Sequence, residues 1–295
     1  MPVAVIFLIS LTANVLSGFL KKGMLSRYGS GKGRHQLFNG ITSLVAVLAL
    51  LVLGFPKSIS PFTLGLGVLF GVVTAVQNLA TLQALDVGPL SYTTVLINLS
   101  TLIPTLSGYF IWSEPISPVQ IAGIGLLVVC FALSVEGGDG QKKTSLRWLL
   151  WTLLAFVCTG AIGVMQKWHQ STDYKGELDG FLVVALGIST LYSAAMLLIL
   201  KGRKSCESEC KHYAGWKPLL IMAVFGICVA LNNKLNLFLS GAMDAAIFYP
   251  VMNGGGLIAT TVGACLLLRE RLTKRRWIGM AVGIVAVILL CDPFR

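Results

Sequence analysis

Unbroken apolar blocks about 20 residues long recur along this chain, and they set the limits on its fold. A helix of that length crosses the hydrocarbon core of a bilayer. Ten such blocks can be drawn, at roughly 2–20, 36–54, 61–84, 89–112, 117–135, 147–169, 178–200, 217–240, 243–268 and 275–291. The polar gaps between them are too short for a soluble domain. Two gaps, around Asp86–Pro89 and Gly241–Asp244, are the narrowest, and merging across one of them gives a count of nine. Barrel strands alternate apolar and polar residues over about ten positions, whereas these blocks are continuously apolar. The expected fold is an all-α membrane protein of about ten transmembrane helices. Composition agrees: 55% of residues are apolar and 12% charged, against about 25% charged in a soluble domain. No basic residue precedes the first block, and Lys21 and Lys22 follow it. It therefore reads as a first membrane helix and not a cleaved leader.

Two residue types mark the ends of the blocks. Trp112, Trp148, Trp151, Trp168, Trp216 and Trp277 all fall near predicted helix ends, where an amphipathic ring sits well at headgroup level. The net charge of +11 is a matter of topology and implies no nucleic-acid partner. Eighteen of the 23 lysines and arginines lie in four alternate loops: Lys21 to Arg34, Lys142 to Arg147, Lys201 to Lys217 and Arg269 to Arg276. Lys57, Lys167, Lys175 and Arg295 fall on the opposite side. Positive loops stay cytoplasmic, so both termini are expected outside a cell (inner) membrane that the chain crosses many times.

The seven cysteines define no site. Cys130, Cys158, Cys228, Cys265 and Cys291 lie in apolar blocks and read as small core residues. Cys206 and Cys210 share a loop with His212, but their spacing fits no standard zinc pattern. No metal, cofactor or catalytic residue is expected.

The chain reads as two similar halves, 1–139 and 140–295. The fourth and fifth blocks read YTTVLINLSTLIPTLSGYFIWSEPISPVQIAGIGLLVVCFAL, and the ninth and tenth FYPVMNGGGLIATTVGACLLLRERLTKRRWIGMAVGIVAVILL. Glu114 then corresponds to Glu270, and Gly123 to Gly279. Five helices per half is odd, so the second repeat must be inverted. The loop charges agree, since SEPISP carries one acid and RERLTKRR is strongly basic. Inverted repeats are a mark of secondary carriers, whose site lies at the repeat interface near the midplane.

Polar groups inside the blocks fall into stripes at helical spacing. Ser10, Asn14, Ser17 and Lys21 share a face, as do Thr74, Gln77, Asn78 and Thr81. So do Thr94, Asn98, Thr101 and Thr105, and Thr159, Gly163, Gln166 and Gln170. Asn232, Asn233 and Asn236 fall within an arc of about 100°. Tyr249, Asn253, Gly256 and Thr260 complete the set, and Asn98 matches Asn253 when blocks four and nine are aligned. The striped blocks pair as one with six, three with eight and four with nine, as an inverted five-plus-five repeat requires. The candidate substrate-binding residues are thus Asn14, Gln77, Asn78, Asn98, Gln166, Asn233, Asn236, Tyr249 and Asn253. Interhelical packing is the competing reading for each, most of all for serines and threonines.

Lys234 reads as the one unambiguous charge inside a block. It lies roughly 150° from the asparagine arc, so snorkelling or interhelical pairing competes with a ligand role. Glu114 and Glu270 read as helix-end residues that fix the turn into the next helix. The Gly67/Gly71 and Gly279/Gly283 pairs read as close-packing sites within one chain, so a monomer is expected over a dimer. Pro104 and Gly254–Gly256 mark possible bends.

The segments LLLRERLTKRRWIGMAVGIVAVILL and SEPISPVQIAGIGLLVVC resemble the closing part of an EamA-like domain of the drug/metabolite transporter superfamily. Over ten helices the resemblance covers nearly the whole chain. It implies alternating-access transport of a small polar metabolite, such as an amino acid, sugar or nucleotide derivative. Many members of that superfamily are placed with both termini in the cytoplasm, and the loop charges here argue the reverse. No G-x-x-x-x-G-K-[ST] loop is present, so ATP does not drive the process directly. The expected partners are a small-molecule substrate and membrane lipid. A membrane-embedded enzyme would need clustered acids or histidines, and His35, His169 and His212 read as lying in separate loops. A structural membrane subunit would not need internal polar stripes. No Asp, Glu or His is placed deep in a block, which points to uniport or exchange and away from obligatory proton coupling.

Overall fold

The structure, a computed structural model, describes residues 3–28, 32–56, 58–88, 90–133, 145–200, 215–268 and 274–291. Every element among them is helical. In chain order they are α1 (Val3–Tyr28), α2 (Lys32–Leu53), α3 (Pro61–Val87), α4 (Leu90–Asn98), a 3₁₀ turn (Leu99–Thr101), α5 (Leu102–Trp112), α6 (Pro118–Leu133), α7 (Leu146–Gln170), a second 3₁₀ turn (Asp173–Glu177), α8 (Leu178–Leu200), α9 (Trp216–Ala242), α10 (Ala245–Leu268) and α11 (Lys274–Leu290). With α4, the 3₁₀ turn and α5 taken as one interrupted rod, the ten blocks become ten rods. Six contain spans long and apolar enough to cross a membrane, and four have shorter apolar stretches. The two narrow gaps are real breaks, at Gly88 and at Met243–Asp244.

Local chemistry explains where several rods start. The Ser60-Pro61 and Ser117-Pro118 dipeptides place serine at the N-cap and proline at the first helical position, where its missing N–H costs nothing. Ser60 Oγ accepts from Thr63 N–H at 3.2 Å. At α6 the cap is reciprocal: Ser117 Oγ accepts from Gln120 N–H at 3.2 Å, and Gln120 Oε1 accepts from Ser117 N–H at 3.0 Å. Ser145 caps α7 through Trp148 N–H at 3.1 Å.

Polarity is inverted relative to a water-soluble fold. Leu8, Val52, Phe110, Leu198 and Ile199 are exposed, whereas Gln36, Gln120, Gln166, Lys167 and His169 are buried. That is the arrangement expected where the outer medium is lipid and polar groups must find protein partners.

The chain forms two compact units. One combines Met1–Ala75 with His169–Leu239, the other Val76–Trp168 with Ser240–Arg295, so each draws on both halves of the sequence. In the first unit α2 packs along α8, helped by small residues at the seam. A β-carbon at Gly40 would lie 3.3 Å from Ser193 Cβ, and Ser43 and Ser189 hydroxyls meet at 3.4 Å. Gly67 and Gly71 seat α3 on α8 against Val184 and Ile188. Phe38, Met222 and Phe225 form a buried apolar cluster between α2 and α9. In the second unit α6 packs along α11. There Gly123 lies against Ala286 and Leu290, and Gly283 against Cys130. Both glycine pairs named from the sequence thus serve packing inside one chain. Blocks two and seven, and blocks five and ten, are therefore direct neighbours.

The tryptophans sit at helix ends as expected, but not all in a lipid belt. Trp168, Trp216 and Trp277 are exposed. Trp148 is buried, and its indole N–H donates to Thr93 Oγ1 at 2.8 Å. Glu270, Cys206, Cys210 and His212 lie outside the described residues, as do the side chains of Lys21, Tyr92, Thr94, Thr260 and Cys265.

Candidate functional site

The second unit gathers six of the nine sequence candidates, and three glycine contacts set their heights. A β-carbon at Gly108 on α5 would lie 2.7 Å from Ala245 Cβ on α10. One at Gly163 on α7 would lie 2.9 Å from Pro104 and 3.2 Å from Tyr249. Stepping back along α5 from 108 to 104 therefore means stepping forward along α10 from 245 to 249. The two helices are antiparallel. Extending this register by one turn brings Ser100 level with Asn253, and Asn98 about 3 Å further along the axis. The 3₁₀ turn that follows Asn98 packs on α10. Thr101 and Thr105 on the same stripe are buried.

The backbone is irregular at this level. Pro104 in α5 and Pro250 in α10 fall at nearly the same height in this register, and each removes an N–H from its helix. The 3₁₀ turn Leu99–Thr101 lies just before Pro104. Interrupted helices within a bilayer are found where they are buried in protein or line a polar cavity.

The candidates differ in what their side chains do. Tyr249 is buried and its hydroxyl donates to Gly163 O at 2.6 Å. Gln166 is buried on α7. Gln77 donates to Thr81 Oγ1 one turn on, at 3.1 Å. Asn78 and Asn98 are half-buried and Asn253 is exposed beside buried Met252 and Gly254. Among the described residues these three amides make no side-chain hydrogen bond.

In the first unit the stripes of α1 and α9 meet. Ser10 is fully buried. It lies 2.6 Å from Asn236 Oδ1 and 3.2 Å from Asn232 Oδ1, and Asn236 Nδ2 lies 3.4 Å from Asn232 Oδ1. The half-buried Asn14 is one turn further along α1. Asn233 Nδ2 donates to Val229 O of its own helix at 2.8 Å.

Four charged or titratable groups find partners in the structure. Of the readings open to Lys234, interhelical pairing is the one seen: its ammonium lies 2.7 Å from Asp179 in the first turn of α8. Gly54 makes room for the pair, since a β-carbon there would lie 3.1 Å from Lys234 Nζ. Lys167 does not belong to an exposed loop charge set. It is buried in the last turns of α7 and paired with Glu114 at 2.5 Å. Glu114 reaches beyond its own turn and accepts from Ala245 N–H, the first residue of α10, at 2.7 Å. His169 is not in a loop either. It is fully buried at the end of α7, 3.4 Å from Thr63 Oγ1 and 3.1 Å from Gln170 Nε2. An amide nitrogen can only donate, so His169 Nδ1 accepts and Nε2 carries the proton toward Thr63. Close by, Glu177 accepts from Ser60 N–H at 2.9 Å and from Ser60 Oγ at 2.8 Å. His169 and Lys167 are buried and Glu114 is half-buried, but all three lie at helix ends, where the sequence places the chain's carboxylates.

No family model matches the chain. It is 26% identical over 273 residues to a Bacillus cereus protein named "Probable glucose uptake protein GlcU", with 88% of each chain covered. The Bacillus anthracis protein of the same name is 24% identical over the same length and shares. An uncharacterized Haemophilus influenzae protein is 22% identical over 232 residues, covering 78% of this chain and 75% of its own. A solved crystal structure, described only as that of a protein, superposes with a TM-score of 0.70 at 14% identity, covering 97% of this chain and 95% of that one. The chain is a multi-pass helical membrane protein similar to proteins named as probable glucose uptake proteins.

Proposed function

We propose that this chain is a secondary carrier of the drug/metabolite transporter type, with two inverted five-helix repeats and alternating access, and that its solute is a small uncharged polyhydroxy compound such as a monosaccharide. The observation that carries this reading is the division of labour among polar groups. Lys234 and Lys167 each have a carboxylate partner inside their own unit. Among the described residues Asn78, Asn98 and Asn253 keep free amides, two half-buried and one exposed. Free amides offer one acceptor and two donors each, which suits hydroxyl groups. Side-chain recognition of an amino acid would draw on a cation for its carboxylate and an anion for its ammonium. The neighbouring pairs α2/α8 and α6/α11 fit a five-plus-five arrangement, and the names of the Bacillus relatives point to the same solute class.

The test is uptake of labelled monosaccharides and amino acids into proteoliposomes holding the purified protein. Saturable sugar uptake that unlabelled sugar competes away is expected. Uptake confined to amino acids, or no uptake of any solute, would remove the reading.

A further inference from the structure

The turn at Met243–Asp244 presents two opposite partial charges close together. The last carbonyls of α9 are electronegative and the first amides of α10 electropositive, because neither set has an intrahelical partner. Two charged side chains meet them with matching sign. Lys167 Nζ donates to Met243 O at 2.9 Å. Glu114 Oε2 accepts from Ala245 N–H at 2.7 Å, while its Oε1 pairs with Lys167. Both carboxylate oxygens are engaged, and the side chains are 7% and 12% exposed. Glu114 is aimed there by its own backbone. Ser113 adopts a left-handed conformation at φ 55°, and Glu114 N–H closes the end of α5 on Gly108 O at 3.1 Å. Gly108, without a side chain, leaves space for the carboxylate and for Ala245.

We propose that Lys167 and Glu114 are positioning residues for α10. Their clamp on the turn sets the height and rotation of α10 against α5 and α7, and with it the place of Asn253 relative to Asn98. The functional side of this inference rests on the solute reading above; the positional side does not. If the two charges served only to neutralise each other, their order would not matter. If they hold the turn, it must matter. Exchanging them keeps the ion pair but sets a carboxylate against Met243 O and an ammonium against Ala245 N–H, both repulsive.

Cysteines at positions 98 and 253, in a chain whose seven native cysteines are replaced, report the position of α10 in native membranes through a short bifunctional thiol reagent. Efficient cross-linking is expected in the parent and in Lys167→Arg, which keeps charge and donors. Lys167→Met and the exchange Lys167→Glu/Glu114→Lys are expected to slow it about tenfold or more, as misplacement by an ångström or so does to proximity-dependent chemistry. Glu114→Gln, the mildest change, keeps an acceptor for Ala245 but loses the ion pair, and is expected to slow cross-linking several-fold. The proposal is overturned if the exchange cross-links at the parent rate, if Glu114→Gln does so, or if the parent does not cross-link at all. Cross-linking needs no solute. A failure of the solute reading would instead appear as unchanged uptake in Asn98→Ala and Asn253→Ala.

Discussion

Gly108 and Ala245 touch so closely that a β-carbon on the glycine would lie 2.7 Å from the alanine methyl and 2.6 Å from Glu114 Oε2. Such separations are shorter than real carbon contacts, so Gly108→Ala must displace either α10 or the carboxylate. We expect a loss of about 1–3 kcal/mol, the usual range for overpacking. Thermal unfolding in detergent, followed by the monodisperse peak on size-exclusion chromatography, measures it. Gly125 has nothing within 4 Å of its would-be β-carbon. Gly125→Ala should leave the midpoint unchanged or raise it slightly through helix propensity. Equal effects at the two sites would contradict the close approach of α5 and α10.

Asn98 and Asn253 lie within about 3 Å of one level in the α5/α10 register. Among the described residues neither amide makes a side-chain hydrogen bond, so on the proposed reading removing either should cost solute contacts and little stability. A neutral hydrogen bond contributes about 1 kcal/mol net. Asn98→Ala and Asn253→Ala are therefore each expected to raise the half-saturating sugar concentration about fivefold at normal membrane abundance. Tyr249→Phe should behave differently, since its hydroxyl is already bonded to Gly163 O. There, reduced abundance or stability should dominate over any change in apparent affinity.

Lys234 and Asp179 form a partly exposed pair across α9 and α8, with 29% and 26% of their side chains accessible. Lys234→Met alone leaves a carboxylate without its partner, and Asp179→Asn alone leaves an ammonium. The double variant removes both charges. A coupling of about 0.5–1 kcal/mol is expected from the unfolding midpoints of the four proteins, near the upper end for exposed pairs. If Lys234 instead binds an anionic solute, Lys234→Met will abolish uptake whether or not Asp179 is also changed.

Orientation is read from the loop charges, since eighteen of 23 basic residues fall in four alternate stretches between blocks. Both termini should face away from the cytoplasm. A C-terminal reporter that is active only in the cytoplasm should be silent, and one that needs export should be active. The opposite pattern reverses the topology and sends Cys206 and Cys210 to the oxidising side.

The rods and the stripes were legible in the sequence for a plain reason: bilayer thickness and the 3.6-residue period each leave a mark within a single segment. Ser10 and the asparagines Asn232 and Asn236 fall in stripes on separate helices, and the structure joins them. Partnerships between distant segments leave no such mark. Lys167 sits one turn from a helix end, where a lone lysine reads as an interfacial charge, and nothing near it in sequence announces Glu114. His169 closes its apolar block and so reads as a loop residue; its burial depends on Thr63 and Phe181 from other helices. The 3₁₀ turn at Leu99–Thr101 was likewise hidden, although Pro104 marked the helix as one that bends.

The internal pairing of Lys167 with Glu114, and of Lys234 with Asp179, bears on how the protein responds to voltage. A charge carried through the whole membrane field does work of about 2.3 kcal/mol per 100 mV. Lys167 and Glu114 lie in one compact unit and Lys234 and Asp179 in the other, so a displacement that carries both members of a pair equally moves no net charge through the field. On the proposed reading of an uncharged solute, a membrane potential imposed with potassium and valinomycin is expected neither to speed nor to slow uptake through these pairs.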